Sequence, residues 1–143
     1  MRTLMLIFAA LCLSCSGCTP VQVPPAASTG RLANDLSVTV ASGERRRVDF
    51  ISALHPDCTS AGYVTFHVIT APTHGWITTE QGVDYPAYPK DNQRYACNVR
   101  RVPLLNIYYQ SYPGYRGDDM ATIEWISPVI PSATSRTLRI SVR

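Results

Sequence analysis

The chain of 143 residues carries a formal net charge of +3, 45% hydrophobic residues, eleven prolines and eight glycines. So mild a positive charge excludes an electrostatically driven nucleic-acid partner, and the dispersed prolines and glycines point to many turns. In chain order, the first element is a leader: Arg2 supplies a positive charge, and Leu4 to Leu13 form a short apolar run. These are the n-region and h-region of a secretory signal. The run is too short for a spanning helix, which needs roughly 20 residues. No later segment is long and apolar enough to cross a membrane.

At "CSGC", Cys15 to Cys18, the small residues Ser16 and Gly17 directly precede Cys18. This resembles the lipobox of bacterial lipoproteins, which implies cleavage after residue 17 and a lipid, palmitate among its acyl chains, on Cys18. An ordinary signal cut shortly after Cys18 is the plain alternative. The resemblance implies a cell-envelope address: a membrane-anchored protein facing the periplasm or the cell surface. It also sorts the cysteines. Cys12 and Cys15 leave with the leader, Cys18 takes the lipid, and Cys58 and Cys97 remain as a pair in an oxidising compartment, where thiols cross-link. Closing a loop of this size stabilises a fold by roughly 4 kcal/mol in the chain-entropy account. Two separated cysteines without a CxxC or a histidine pair make a poor zinc site.

Residues 18–30 read as a tether. "TPVQVPPAASTG" is small, polar and proline-rich, and Pro20, Pro24 and Pro25 favour extended chain. Residues 31–143 are of single-domain size. From Leu36 the apolar residues recur with period two. The pairs and triplets are Leu36, Val38, Val40; Val48, Phe50, with Ile51 at a strand end; Val64, Phe66, Val68; Leu105, Ile107, Tyr109; Ala121, Ile123, Trp125; and Leu138, Ile140, Val142. "GWITT" adds a short strand. Such alternation places one face on a core and the other in water. No window carries a helical stripe. The reading is all-β: an antiparallel sandwich of about seven strands. The run Glu80 to Pro103 lacks alternation, and Pro86, Pro89 and Pro103 interrupt any central strand. It reads as a long loop that Cys97 fastens near Cys58, and such loops often carry binding.

"APTHGWI", Ala71 to Ile77, followed by "NIYYQSYPGYRGDD", Asn106 to Asp119, resembles bacterial cadherin-like and Ig-like repeat domains. Pro72 and Gly75 match the Pro-x-x-Gly turn of those repeats. Tyr109, Gly114, Tyr115, Gly117 and Asp119 match the aromatic strand end and the Gly-Tyr-x-Gly-x-Asp element that follows. The resemblance covers Tyr63 to Trp125 and implies an Ig-like or cadherin-like β-sandwich. The physics of the segment agrees: Gly114 and Gly117 permit a sharp corner, Pro113 cannot continue a central strand, and Asp119 can accept backbone N–H bonds. Calcium held by Asp118 and Asp119 is the rival reading, although calcium needs about 6–8 oxygen ligands.

The histidines, His55, His67 and His74, show no metal spacing, and there is no Gly-x-Ser-x-Gly elbow. Asp49 and Asp57 lie near His55 in sequence. The expectation is a non-enzymatic protein without a cofactor. Arg45 to Arg47, and Arg100 with Arg101, are either solvated strand edges or contacts for anionic envelope groups. Tyr85, Tyr88, Tyr95, Tyr108, Tyr112 and Trp76 suit a recognition surface for a glycan or protein. Of these candidates, Tyr85, Tyr88, Tyr95, Arg100 and Arg101 belong to the stapled loop and form the expected binding set. "YAC", Tyr95 to Cys97, resembles the Tyr-x-Cys element of periplasmic lysozyme-inhibitor lipoproteins, which implies a small disulfide-linked barrel and an inhibitor of a wall-degrading enzyme as the alternative function.

Overall fold

A computed structural model describes residues 34–143. The leader, the Cys18 lipidation position and the tether lie outside the described residues. The compact unit runs from Arg31 to Arg143. Its described part is built from seven strands: β1 (Asp35–Val40), β2 (Arg45–Ile51), β3 (Thr65–Thr70), β4 (Gly75–Asp84), β5 (Val102–Ser111), β6 (Gly117–Ile126) and β7 (Ala133–Val142). Between the strands there is a 3-10 turn at Tyr95–Val99. No helix among them is long and apolar enough to cross a membrane.

The strands form two sheets, β1-β7-β6-β3 and β2-β5-β4. This is the strand order of an immunoglobulin-type sandwich in which the first strand joins the edge beside the last. All pairings are antiparallel except β1 with β7, which run parallel from Asp35 opposite Thr137 to Val40 opposite Val142. The two layers are not closed into a barrel of the kind the Tyr-x-Cys resemblance implies.

The core follows the period-two pattern. Ile107, Tyr109, Ala121, Ile123, Leu138, Ile140 and Val142 are buried between the sheets, with Val40, Val48 and Ile51. Leu36, Val38, Val64, Phe66 and Trp125 pack against them from the rims. Burying a side chain of this size stabilises by about 1.5–3 kcal/mol relative to exposure.

Two elements differ from the sequence reading. A β-bulge between Arg47 and Asp49 shifts the phase of β2. Phe50 therefore pairs with Asn106 on the outer face, while Asp49 pairs with Ile107 and turns inward. There Asp49 Oδ2 accepts from Arg136 Nη1 of the opposite sheet at 2.6 Å, a tie between the layers. The second difference is β4, which continues through Glu80 to Asp84 and shortens the long loop to residues 85–101. At Gly82 a Cβ would strike the side-chain amide of Asn106, so glycine lets the neighbouring strand's side chain lie across β4.

Candidate functional site

The bend Ser111 to Asp119 is a corner. Gly114 and Gly117 have φ of 80° and 138°, a region that disfavours side chains. Tyr115 Oη donates to Asp118 O at 2.7 Å, and its ring stacks on His74 with centroids 4.0 Å apart. Asp119 points into the sandwich. It accepts from Thr73 N at 2.9 Å, His74 N at 3.0 Å, Tyr109 Oη at 2.9 Å and Met120 N at 2.9 Å. Burial alone would raise its pKa, but these four donors hold it below the ordinary carboxylate value. The same contact acts oppositely on Tyr109: burial first, then the adjacent carboxylate, push its phenol well above the ordinary value. Asp118 is exposed on the opposite side of β6. The two acids thus face away from each other, and the lone pairs of Asp119 are occupied. In this arrangement the two carboxylates do not converge on a common point.

Two of the three arginines of β2, Arg45 and Arg47, are used within the sheet. Arg45 lies over the Tyr108 ring at 3.6 Å and reaches Glu80 on β4 at 2.8 Å. Arg47 crosses β5 likewise, donating to Asp84 at 2.8 Å and Asn106 at 3.1 Å. Both span the central strand from one edge to the other, and exposed pairs of this kind contribute little each.

A groove of about 620 Å³ crosses the outer face of the four-stranded sheet, beside the loop Thr70 to His74. Its polar lining includes Ser37, Thr39, Ser141, Asp118 and His74, with Met120 and Arg139 beside them. Arg139 is held by Asp35 at 2.9 Å. His67 is opposite Glu124 on this sheet; neither it nor His55 lines this groove.

The richest collection of unoccupied chemistry lies at the sandwich end formed by the β2–β3, β4–β5 and β6–β7 loops. A disulfide joins Cys58 to Cys97, with Cα atoms 5.4 Å apart, and so ties the first two loops. The third approaches at Gly62 and Pro128. Cys58 adopts φ of 71°, uncommon for a residue with a Cβ. Beneath the disulfide is a second small core of Leu54, Cys97 and Val102, with Tyr88 against it. Arg94 Nε donates to Leu54 O, further binding loop to loop.

The five expected binding residues divide here. Tyr88 is structural: its hydroxyl lies 3.0 Å from Ser52 Oγ, and its backbone exchanges hydrogen bonds with the Asn98 side chain. Arg101 donates to Val83 O at 2.8 Å. Tyr85 and Tyr95 are exposed, and Arg100 is exposed with no ion-pair partner among the described residues. Sequence reading missed Tyr63, Val99 and Ile130, which are 77%, 79% and 56% exposed at this end. Only the topology brings them to the same end as Tyr85 and Tyr95.

No family model matches the chain, and no curated protein matches it. A solved structure, the solution structure of Amebosin, aligns over 77% of this chain and 90% of its own, with 12% identity and a TM-score of 0.41. At that level the likeness carries no argument.

Proposed function

We propose that the protein is a non-enzymatic lipoprotein of the bacterial cell envelope whose single Ig-like domain is a binding module, with the disulfide-tied loop end as its binding surface. The cadherin-like variety of that fold is part of the same proposal. The observation that carries it is the combination at one end of exposed Tyr85 and Tyr95 with a covalent staple beneath them. Rigid aromatic side chains lose little freedom on binding, and a fixed frame reduces the ordering cost further. The lipobox-like "CSGC" supplies the anchor, and the cysteine pair suits an oxidising compartment.

An affinity pull-down from envelope extract tests this, comparing wild type with a Tyr85→Ala/Tyr95→Ala/Arg100→Ala variant. Recovery of an envelope component by wild type and its loss in the variant is the expected result. Equal recovery by both removes the loop end as the binding surface. Palmitate labelling of wild type and of Cys18→Ser tests the anchor, with label expected on wild type alone. Potent inhibition of lysozyme by the purified domain would replace this reading with the inhibitor alternative.

A further inference from the structure

We propose that the loop end docks on the anionic surface of a lipid bilayer, with Tyr63, Tyr95, Val99 and Ile130 entering the interface and Lys90, Arg100 and Arg101 meeting the headgroups. This rests on the binding-module reading and names the partner of that same end.

Three observations carry it. The first is composition. Tyr63, Tyr95, Val99 and Ile130 all stand exposed at this one end, and Val99, 79% exposed, directly precedes Arg100 in the chain. Tyrosine pairs an apolar ring with a polar tip, which suits the boundary between headgroup and acyl chain. The second is charge. Lys90, Arg100 and Arg101 are exposed, and Lys90 and Arg100 have no ion-pair partner among the described residues. Basic residues next to a bilayer are drawn to anionic lipids within a Debye length. Two exposed acids share the end. Asp57 accepts from Thr59 Oγ1 at 2.6 Å and Thr59 N at 3.0 Å and, like Asp91, keeps its negative charge, so the three exposed cations outnumber the exposed acids by one. The third is where the chain continues. β1 runs parallel to β7, and β7 starts from the β6–β7 loop. The N-terminus of β1, at Asp35, therefore lies at this same end.

The probe is co-sedimentation with vesicles of phosphatidylcholine containing 30% phosphatidylglycerol, against phosphatidylcholine alone. The protein is the chain from residue 18 onward carrying Cys18→Ser, which includes the whole folded unit and cannot be lipidated. Binding to the anionic vesicles is expected at least fivefold above the neutral ones at low salt, and falling as salt is added. Lys90→Glu/Arg100→Glu and, separately, Val99→Asp are each expected to lower it at least fivefold. Arg116→Glu, in the corner at the opposite end, is expected to leave it unchanged. Thermal melting of every variant controls for folding. No preference for anionic vesicles, or full binding by both loop variants, overturns the proposal. Capture of an envelope protein or glycan by a chain that ignores vesicles, lost in Tyr95→Ala, overturns it while leaving the binding-module reading standing. Failure of both assays removes both.

Discussion

Asp119 accepts four hydrogen bonds from three segments, and its side chain is only 2% exposed. Replacing it by alanine strands the Thr73 and His74 N–H groups and leaves the Tyr109 phenol only its 3.5 Å contact with His74 O. A buried donor without a partner costs about 1–3 kcal/mol, so D119A is expected to lose about 3 kcal/mol in urea unfolding. The pair also sets a pH window. The folded-state pKa of Asp119 lies below the ordinary 3.8, so its contribution is present above 3.8 and is lost as pH falls through the lowered value. Tyr109 is raised from 10.0, so its contribution is present below 10.0 and is lost as pH rises through the raised value. Urea midpoints should therefore be flat between about pH 5 and 9 and fall on both sides. D119N should shallow the acid limb without abolishing it, because Asp84, paired with Arg47, and Asp57, bonded by Thr59, are also lowered. An unaltered acid limb in D119N would assign acid unfolding to other groups. That Asp119 closes a turn was legible from its place after Gly114 and Gly117. Its tyrosine partner was not, because Tyr109 meets it only when β5 and β6 face each other across the sheets.

The strands that announce themselves in the sequence are those with one face on the core. In β7, Leu138, Ile140 and Val142 alternate with Thr137, Arg139 and Ser141, and the chemistry alternates with them. β4 hides because it is an edge: its inward positions Thr79, Gln81 and Val83 remain exposed, so nothing selects apolar residues there. The bulge in β2 hides because a shift of backbone phase leaves no trace in composition. The Cys58–Cys97 pair was legible by counting, but the three-loop surface it braces required the strand order. The disulfide closes 39 residues of chain between a β2–β3 turn and the 3-10 turn before β5. Cys58→Ser/Cys97→Ser is expected to lose up to about 4 kcal/mol against chemical denaturant. Limited proteolysis should then cut within residues 85–101 before the strands open. Unchanged stability with an uncut loop would mean that Tyr88, Arg94 and the small core hold this end by themselves.

Across the whole molecule the two sides of the sandwich are unequally sealed. On one side β1 pairs with β7 for its full length, and the chain's last residue returns a hydrogen bond to Val40 at 3.0 Å. The outer edges of β1 and β2 are as free of a further strand as those of β3 and β4, but on β3 and β4 the apolar side chains Val68, Ile69 and Val83 are 39%, 58% and 52% exposed. Local opening costs least where few buried contacts are lost, so native-state hydrogen exchange should be graded from one edge to the other. The hydrogen-bonded amides of β5, β6 and β7 should exchange only through global unfolding, with the slope against denaturant that global unfolding shows. Those of β3 should exchange at least tenfold faster and with little denaturant dependence, although β3 pairs with β6 on both sides of an irregularity between Val68 and Thr70. The difference follows from side chains, since β3 has one half-buried residue, Phe66, among otherwise exposed ones, whereas β6 buries Asp119, Ala121 and Ile123 in succession. Equal protection in β3 and β6 would show that the open edge is covered in solution, and would direct attention to what covers it.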